Sequence, residues 1–315
     1  MSDRMNPPDA APPTPPVDAA RAGRLMRAAT YASVSVALAL LGAKLVAWWV
    51  TDSVAMLSAL IDSLLDALAS IVNLVAVRQA LQPADREHRF GHGKAEALAG
   101  LGQATFIAAS AVFLLFKAIP RLQQPVAVEN SAVGIAVMVL AIAATLVLVL
   151  FQRHVIRVTG SQAIAADSLH YRSDLLLNFS VIAALVLSAR LGWQMADPLF
   201  AIAIAFFVLY SAWKILRRSY DTLMDRELPD ETRARIRDIV LDHPEVRAMH
   251  DLRTRASGTG SFIQLHLDLA ADMSLMRAHE IADEVEARIH RVFPNAEIII
   301  HQDPEGIRED RATFS

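Results

Sequence analysis

The chain has 315 residues, 54% hydrophobic and only 20% charged, and its mean hydropathy of +0.35 is too high for an ordinary soluble protein of this length. The formal net charge of -3 says little, because opposite charges are segregated along the sequence, and no nucleic-acid partner is expected. There are no cysteines, which excludes disulfide frameworks, zinc–thiolate fingers and Cu(I)–thiolate sites, so any metal must be held by His, Asp, Glu or backbone oxygen.

Residues 1–24, centred on PPDAAPPTPP, are Pro- and Ala-rich without periodicity and are expected to form a disordered extension. Arg21, Arg24 and Arg27 precede an apolar run, as they would in a signal peptide. That run is too long for such a peptide's apolar core and further runs follow, so it reads as an uncleaved first transmembrane helix. Six apolar stretches, at about 28–50, 54–79, 96–118, 131–151, 163–190 and 197–214, each come near the ~20 residues that a span needs.

Lys and Arg orient these spans. Arg78, Arg86, Arg89 and Lys94 lie between the second and third spans, Arg153 and Arg157 between the fourth and fifth, and Lys214, Arg217 and Arg218 after the sixth. The alternate links carry only Lys117 with Arg121, and Arg190, so the first set and both termini are expected in the cytoplasm. Lys44, beside Trp48 and Trp49 near the outer end of the first span, reads as an interface anchor snorkelling outward.

The second span contains Asp62 and Asp66, and the fifth contains His170 and Asp174. Residues four apart share one helical face, and ionisable groups in lipid are costly enough to mark function. At 1.5 Å per residue, Asp62 and Asp66 fall roughly 14 and 20 Å below the outer surface of a core about 30 Å thick. His170 and Asp174 fall roughly 12 and 18 Å above the inner surface. The two pairs overlap near mid-membrane on antiparallel helices, where three acids would repel one another without a cation. A four-ligand tetrahedral site results, suited to Zn²⁺ and compatible with Fe²⁺ or Cd²⁺. Asp167 shares that helical face but lies in the first turn, and reads as a helix cap or entry residue.

The link after the second span offers Asp85, His88 and His92 in a Gly-flexible loop, two imidazoles and a carboxylate. The same composition also suits a plain solvated loop. From Arg226 onward the sequence turns soluble, with a helix over Pro229 to Leu241, strands over Val246 to Arg255 and Ser261 to Ala270, a helix over Ser274 to Phe293, and a strand over Ala296 to Gln302. Ile263, Leu265, Leu267 and Leu269 alternate with Gln264, His266 and Asp268, placing His266 on a polar strand face. His250, His266, His279, His301 and Asp303 stand outside the apolar pattern, as ordinary surface histidines or as a second metal cluster. The chain thus divides into the extension (1–24), a six-helix transmembrane domain (25–218), a cytoplasmic α+β domain (219–305) and a tail (306–315).

AMLSALIDSLLD, LQPAD with HRFGHGKAE, ADSLHYRSD, HDLRTRASG, IQLHLDL and IIIHQDP, in that order, resemble the cation diffusion facilitator family, nearest its bacterial ferrous-iron and zinc efflux branch. The resemblance covers about residues 21 to 305. It implies a homodimeric metal/proton antiporter of the bacterial inner membrane, with six transmembrane helices and a ferredoxin-like, metallochaperone-like cytoplasmic domain. It also implies a transport site at Asp62, Asp66, His170 and Asp174, a loop site at Asp85, His88 and His92, and a cytoplasmic-domain site at His250, His266, His279, His301 and Asp303. Lys94 and Asp225 match the family's charge interlock at the dimer near the membrane surface. A passive metal channel and a membrane metal sensor are the rival functions. An intramembrane metalloenzyme is not expected, because HExxH is absent and four protein ligands leave little room for a catalytic water.

Overall fold

The computed structural model describes residues 19–51, 54–123, 132–191 and 195–306. Six long helices come first: α1 (Ala19–Thr51), α2 (Val54–Ala80), α3 (Lys94–Gln123), α4 (Ala132–Thr159), α5 (Gln162–Leu191) and α6 (Ala196–Leu223). Among the described residues, five of them are long and apolar enough to cross a membrane by length and composition. α5 carries Asp167, Arg172 and Asp174 in its first half, ahead of an apolar run over residues 175–187. It sits among α3, α4 and α6, with Ile164, Asp167, Leu169 and Tyr171 buried. Burial inside the bundle lets a span carry that much charge.

Helix packing here depends on small side chains. Ala97, Ala104, Ala111 and Ala118 of α3 recur every seven residues and are buried, as are Ala205, Ala212 and Ser219 of α6. A seven-residue repeat of small residues lets two helices pack closely along their length, which suits a medium that gives no hydrophobic drive between helices. At Gly100 a Cβ would lie 2.8 Å from Ser219 Oγ, so the position is closed to other residues unless that hydroxyl moves. The outer surfaces carry exposed Val72, Val75, Phe113, Phe116 and Val147, as lipid contact requires.

The helices outrun the expected spans. α1 begins at Ala19, so residues 19–24 are helical rather than disordered, and Ala22 and Met26 are buried; the earlier part of the extension lies outside the described residues. The last prolines of the extension are Pro15 and Pro16, and no proline lies between them and the end of α1. At the other boundary α6 continues to Leu223 with Ser219 buried, so the cytoplasmic domain starts after that residue rather than at 219. Met26, Ala29, Val77, Val155, Ala163 and Ile164 form a core at this end of the bundle, which explains why the helices persist beyond the apolar runs. The tail after Gly306 is likewise outside the described residues.

The remaining elements are α7 (Asp230–Leu241), β1 (Ala248–Ser257), β2 (Gly260–Leu269), α8 (Leu275–Val292) and β3 (Ala296–Pro304). β1 and β2 form an antiparallel hairpin, and β3 joins β2 in parallel through the α8 crossover. Ile263, Leu265, Leu267 and Leu269 bury one sheet face against Ile236 and Val240 of α7 and Ile281, Val285 and Ile289 of α8. The hairpin tip rests against the α2–α3 loop: a Cβ on Gly93 would lie 2.6 Å from the carbonyl carbon of Ser257.

Candidate metal centres

Asp66 of α2 and His170 and Asp174 of α5 converge within the bundle. His170 Nε2 lies 2.9 Å from Asp66 Oδ1 and 3.7 Å from Asp174 Oδ2, and one ligand atom from each residue fits within a 4.8 Å span. Asp62, expected in the same set, is exposed and outside that group. Its four-residue step from Asp66 amounts to about 6 Å along the helix axis, so it occupies the next level of α2.

Two neighbours of this cluster differ from their sequence reading. Asp167 is fully buried and caps nothing: it accepts hydrogen bonds from Ser33 Oγ (2.5 Å), Gln152 Nε2 (2.7 Å) and Gln103 Nε2 (3.2 Å). It therefore ties α5 to α1, α4 and α3, one turn from His170. The N-terminus of α5 is instead served by Glu96, which accepts from the backbone N–H of Gln162 at 2.6 Å. Lys44 does not snorkel outward; its Nζ donates to Ser63 Oγ at 2.5 Å, and Ser63 is buried on α2 between Asp62 and Asp66. Tyr171 adds a further tie, donating to Ser33 O at 3.2 Å and lying 2.8 Å from Ser70 Oγ.

The α2–α3 loop is folded about Asp85. Its Oδ1 accepts the backbone N–H groups of His88 (2.6 Å) and Glu87 (2.9 Å), which close the loop locally. The His88 backbone hydrogen bond, with the neighbouring Glu87 one, holds the Asp85 carboxyl below its ordinary value. His88 Nδ1 and His92 Nε2 each lie 3.4 Å from that carboxylate, and the two rings are 4.6 Å apart. His92 is buried and its Nδ1 has no hydrogen-bond partner among the described residues.

In the cytoplasmic domain, strand register builds the third cluster. His250 of β1 pairs with His266 of β2, which pairs with His301 of β3, so three imidazoles occupy one rung of the sheet on the face away from the helices. Asp268 and Asp303 pair two residues further on, on that same face. Asp303 Oδ2 lies 2.8 Å from His266 Nδ1 and 3.3 Å from His250 Nε2, while its Oδ1 lies 3.1 Å from His301 Nε2. Asp268 adds a contact at 3.1 Å to His250 Nδ1, and Asp251 reaches to 3.8 Å from His266 Nε2. Neither acid is distinguished by the sequence pattern, although Asp268 follows His266 on the polar alternation. His279 is not brought in: it is exposed on α8, 3.7 Å from Asp283, on the far side of the sheet's core.

Between bundle and domain, Lys94 Nζ lies 2.9 Å from Asp225 Oδ1, and Arg255 Nη1 approaches the same carboxylate at 3.4 Å. Partial burial works against ionisation of Asp225, but the Lys94 hydrogen bond and charge, with Arg255, hold its carboxyl below the ordinary value. Arg255 also stacks over Phe90 and Phe262, whose rings meet edge to face at 5.6 Å. Loop, α6 terminus and β-hairpin thus meet at one seam.

Comparison with known proteins fits both halves. Residues 30–224 match the cation efflux transmembrane domain, and residues 228–305 match the cation efflux protein cytoplasmic domain. The chain is 50% identical over 285 residues to the cation-efflux pump FieF of Klebsiella pneumoniae subsp. pneumoniae, covering 90% of this chain and 95% of that one. It is 50% identical over 282 residues to the FieF pump of Salmonella arizonae, covering 90% and 94%. The metal-bound C-terminal domain of the CzcD transporter from Thermotoga maritima is 26% identical, covering 26% of this chain and all of that one, with a TM-score of 0.24. The two domain matches meet at the boundary between α6 and α7, and half of the aligned residues are shared with whole pumps: the chain belongs to the cation diffusion facilitator, or cation efflux, family.

Proposed function

We propose that this multi-pass membrane protein exports divalent metal cations, Zn²⁺, Fe²⁺ or Cd²⁺, from the cytoplasm in exchange for protons, and that it works as a homodimer in a bacterial inner membrane with both termini cytoplasmic. The observation that carries this reading is the convergence of Asp66, His170 and Asp174 from antiparallel α2 and α5. Asp62, one turn away, completes the transport set. The whole-length likeness to FieF pumps supports export as the direction.

The coupling follows from ligand chemistry. Carboxylates and imidazole hold a cation only when deprotonated, so loading metal releases protons and reprotonation expels metal. A site loaded from the cytoplasm and opened to a more acidic compartment exchanges one for the other. The Asp85–His88–His92 loop and the cluster of His250, His266, His301 and Asp303 are metal sites that tune the cycle. Lys94 with Asp225 forms the charge interlock near the membrane surface, where the dimer partners meet.

Flux into proteoliposomes tests this reading. An imposed pH gradient is expected to drive Zn²⁺ or Fe²⁺ movement with counterflow of protons, and Asp66→Ala or Asp174→Ala to reduce it at least about a hundredfold, since each removes a metal ligand. Metal flux that ignores the gradient indicates a channel, full flux in both variants removes the site, and metal binding without flux indicates a sensor.

A further inference from the structure

The strongest remaining feature is a basic side chain where the transport reading needs none. With Asp62 in the proposed transport set, three carboxylates around a divalent cation and a neutral His170 leave one negative charge uncompensated. Inside a helix bundle such a residue is costly. Lys44 projects from α1 to Ser63, which follows Asp62 directly and precedes Asp66 by less than one turn on α2. A lysine that served only as an interface anchor would extend to the headgroups with its tryptophan neighbours. This one turns inward, and its ammonium is held at Ser63, between Asp62 and Asp66 in the α2 sequence.

Building on the transport-site assignment, we propose that Lys44 is the built-in countercharge of that site: tethered to Ser63, its ammonium cancels the charge that three carboxylates retain around a divalent cation, and thereby sets how tightly the cation is held. Lys44 binds no metal; it is a positioning residue that acts through the field at the carboxylates. A fixed positive charge repels the bound cation, which weakens retention and speeds release. It also makes the loaded site neutral for a divalent ion, leaving a monovalent cation with excess negative charge and a trivalent one with excess positive charge.

The concentration dependence of Zn²⁺ flux in proteoliposomes tests this. Lys44→Gln removes the charge but keeps a donor for Ser63, and is expected to lower KM about tenfold while also lowering kcat, because the metal is held more tightly. Lys44→Arg keeps the charge and is expected to keep both constants within about twofold. Lys44→Met provides a second uncharged variant with the same expected result if the glutamine protein does not assemble. Unchanged constants in the uncharged variants beside an inactive Asp66→Ala protein overturn the countercharge alone. A raised KM, or equal defects in the arginine and glutamine variants, makes Lys44 a structural tie and overturns it too. An active Asp66→Ala protein removes the transport site and this proposal together.

Discussion

Asp167 shows how much of a membrane bundle's order can rest on one acid. Its carboxylate takes three side-chain donors from three other helices while fully buried, so removing it strands those donors in a place water does not reach. Asp167→Ala is therefore expected to destabilise the protein by about 3 kcal/mol, and Asp167→Asn by about half as much. Thermal unfolding in detergent checks this: the alanine protein should melt well below the asparagine one, and equal melting temperatures would mean the network carries no weight. In the sequence the residue looks like a helix cap, because spacing fixes its position on α5 and says nothing of Ser33, Gln103 and Gln152 arriving from elsewhere. Lys44 is misread for a related reason: hydropathy gives its depth but not its direction around α1. By contrast, Asp66 and His170 are legible, since depth counting on antiparallel spans brings them to one level and their 2.9 Å contact follows.

The elements themselves are well encoded. All six spans announce themselves as apolar stretches, α5 through the run that follows Asp174. The cytoplasmic elements differ from their sequence expectation by only a few residues, because period-two alternation in β2 and the Ile281–Val285–Ile289 stripe of α8 are set by one shared core. Helix ends in the bundle are less legible, since the packing of Met26, Val77 and Val155 that prolongs them is tertiary. α8 also anchors a charged surface: Arg277 bonds to Glu245, Glu280 and Glu284, and buried His243 lies 3.0 Å from Glu284. The Arg277 hydrogen bond holds Glu245, and the His243 hydrogen bond holds Glu284, below the ordinary glutamate value. Carboxylates depressed in the native state stabilise it above their unfolded pKa of about 4.3, and that contribution fades as pH falls through the native values. Hydrogen exchange of α8 amides in the full-length protein is expected to stay flat from about pH 7 to pH 5, once corrected for intrinsic rates, and to quicken below about pH 4. Arg277→Gln should flatten that acid limb; an identical limb in the variant would assign it elsewhere.

Across the whole molecule, the seam between bundle and cytoplasmic domain joins regions that the sequence keeps far apart. Gly93 lets the α2–α3 loop touch Ser257 backbone, and Phe90, Arg255 and Phe262 pack beside it, with Asp225 between Lys94 and Arg255. No local pattern marks Gly93 as a contact point, because the clash partner lies in a hairpin that begins more than a domain boundary later. Gly93→Ala places a Cβ against backbone that cannot yield, so the domain is expected to lift from the loop and proteolysis after Leu223 to speed up about tenfold, with slower metal flux. Unchanged proteolysis would mean that the seam does not hold the domain. The same hairpin has a genetic consequence. Ser257 pairs with Gly260 across a two-residue tip, and that pairing, together with the one-residue register shift between Arg253 and His250, fixes the rung on which His250, His266 and His301 meet. A frame-preserving deletion of one tip codon, touching no ligand, would slide β1 by one position and turn His250 toward the core, so this short turn is as intolerant of length change as the histidines are of substitution.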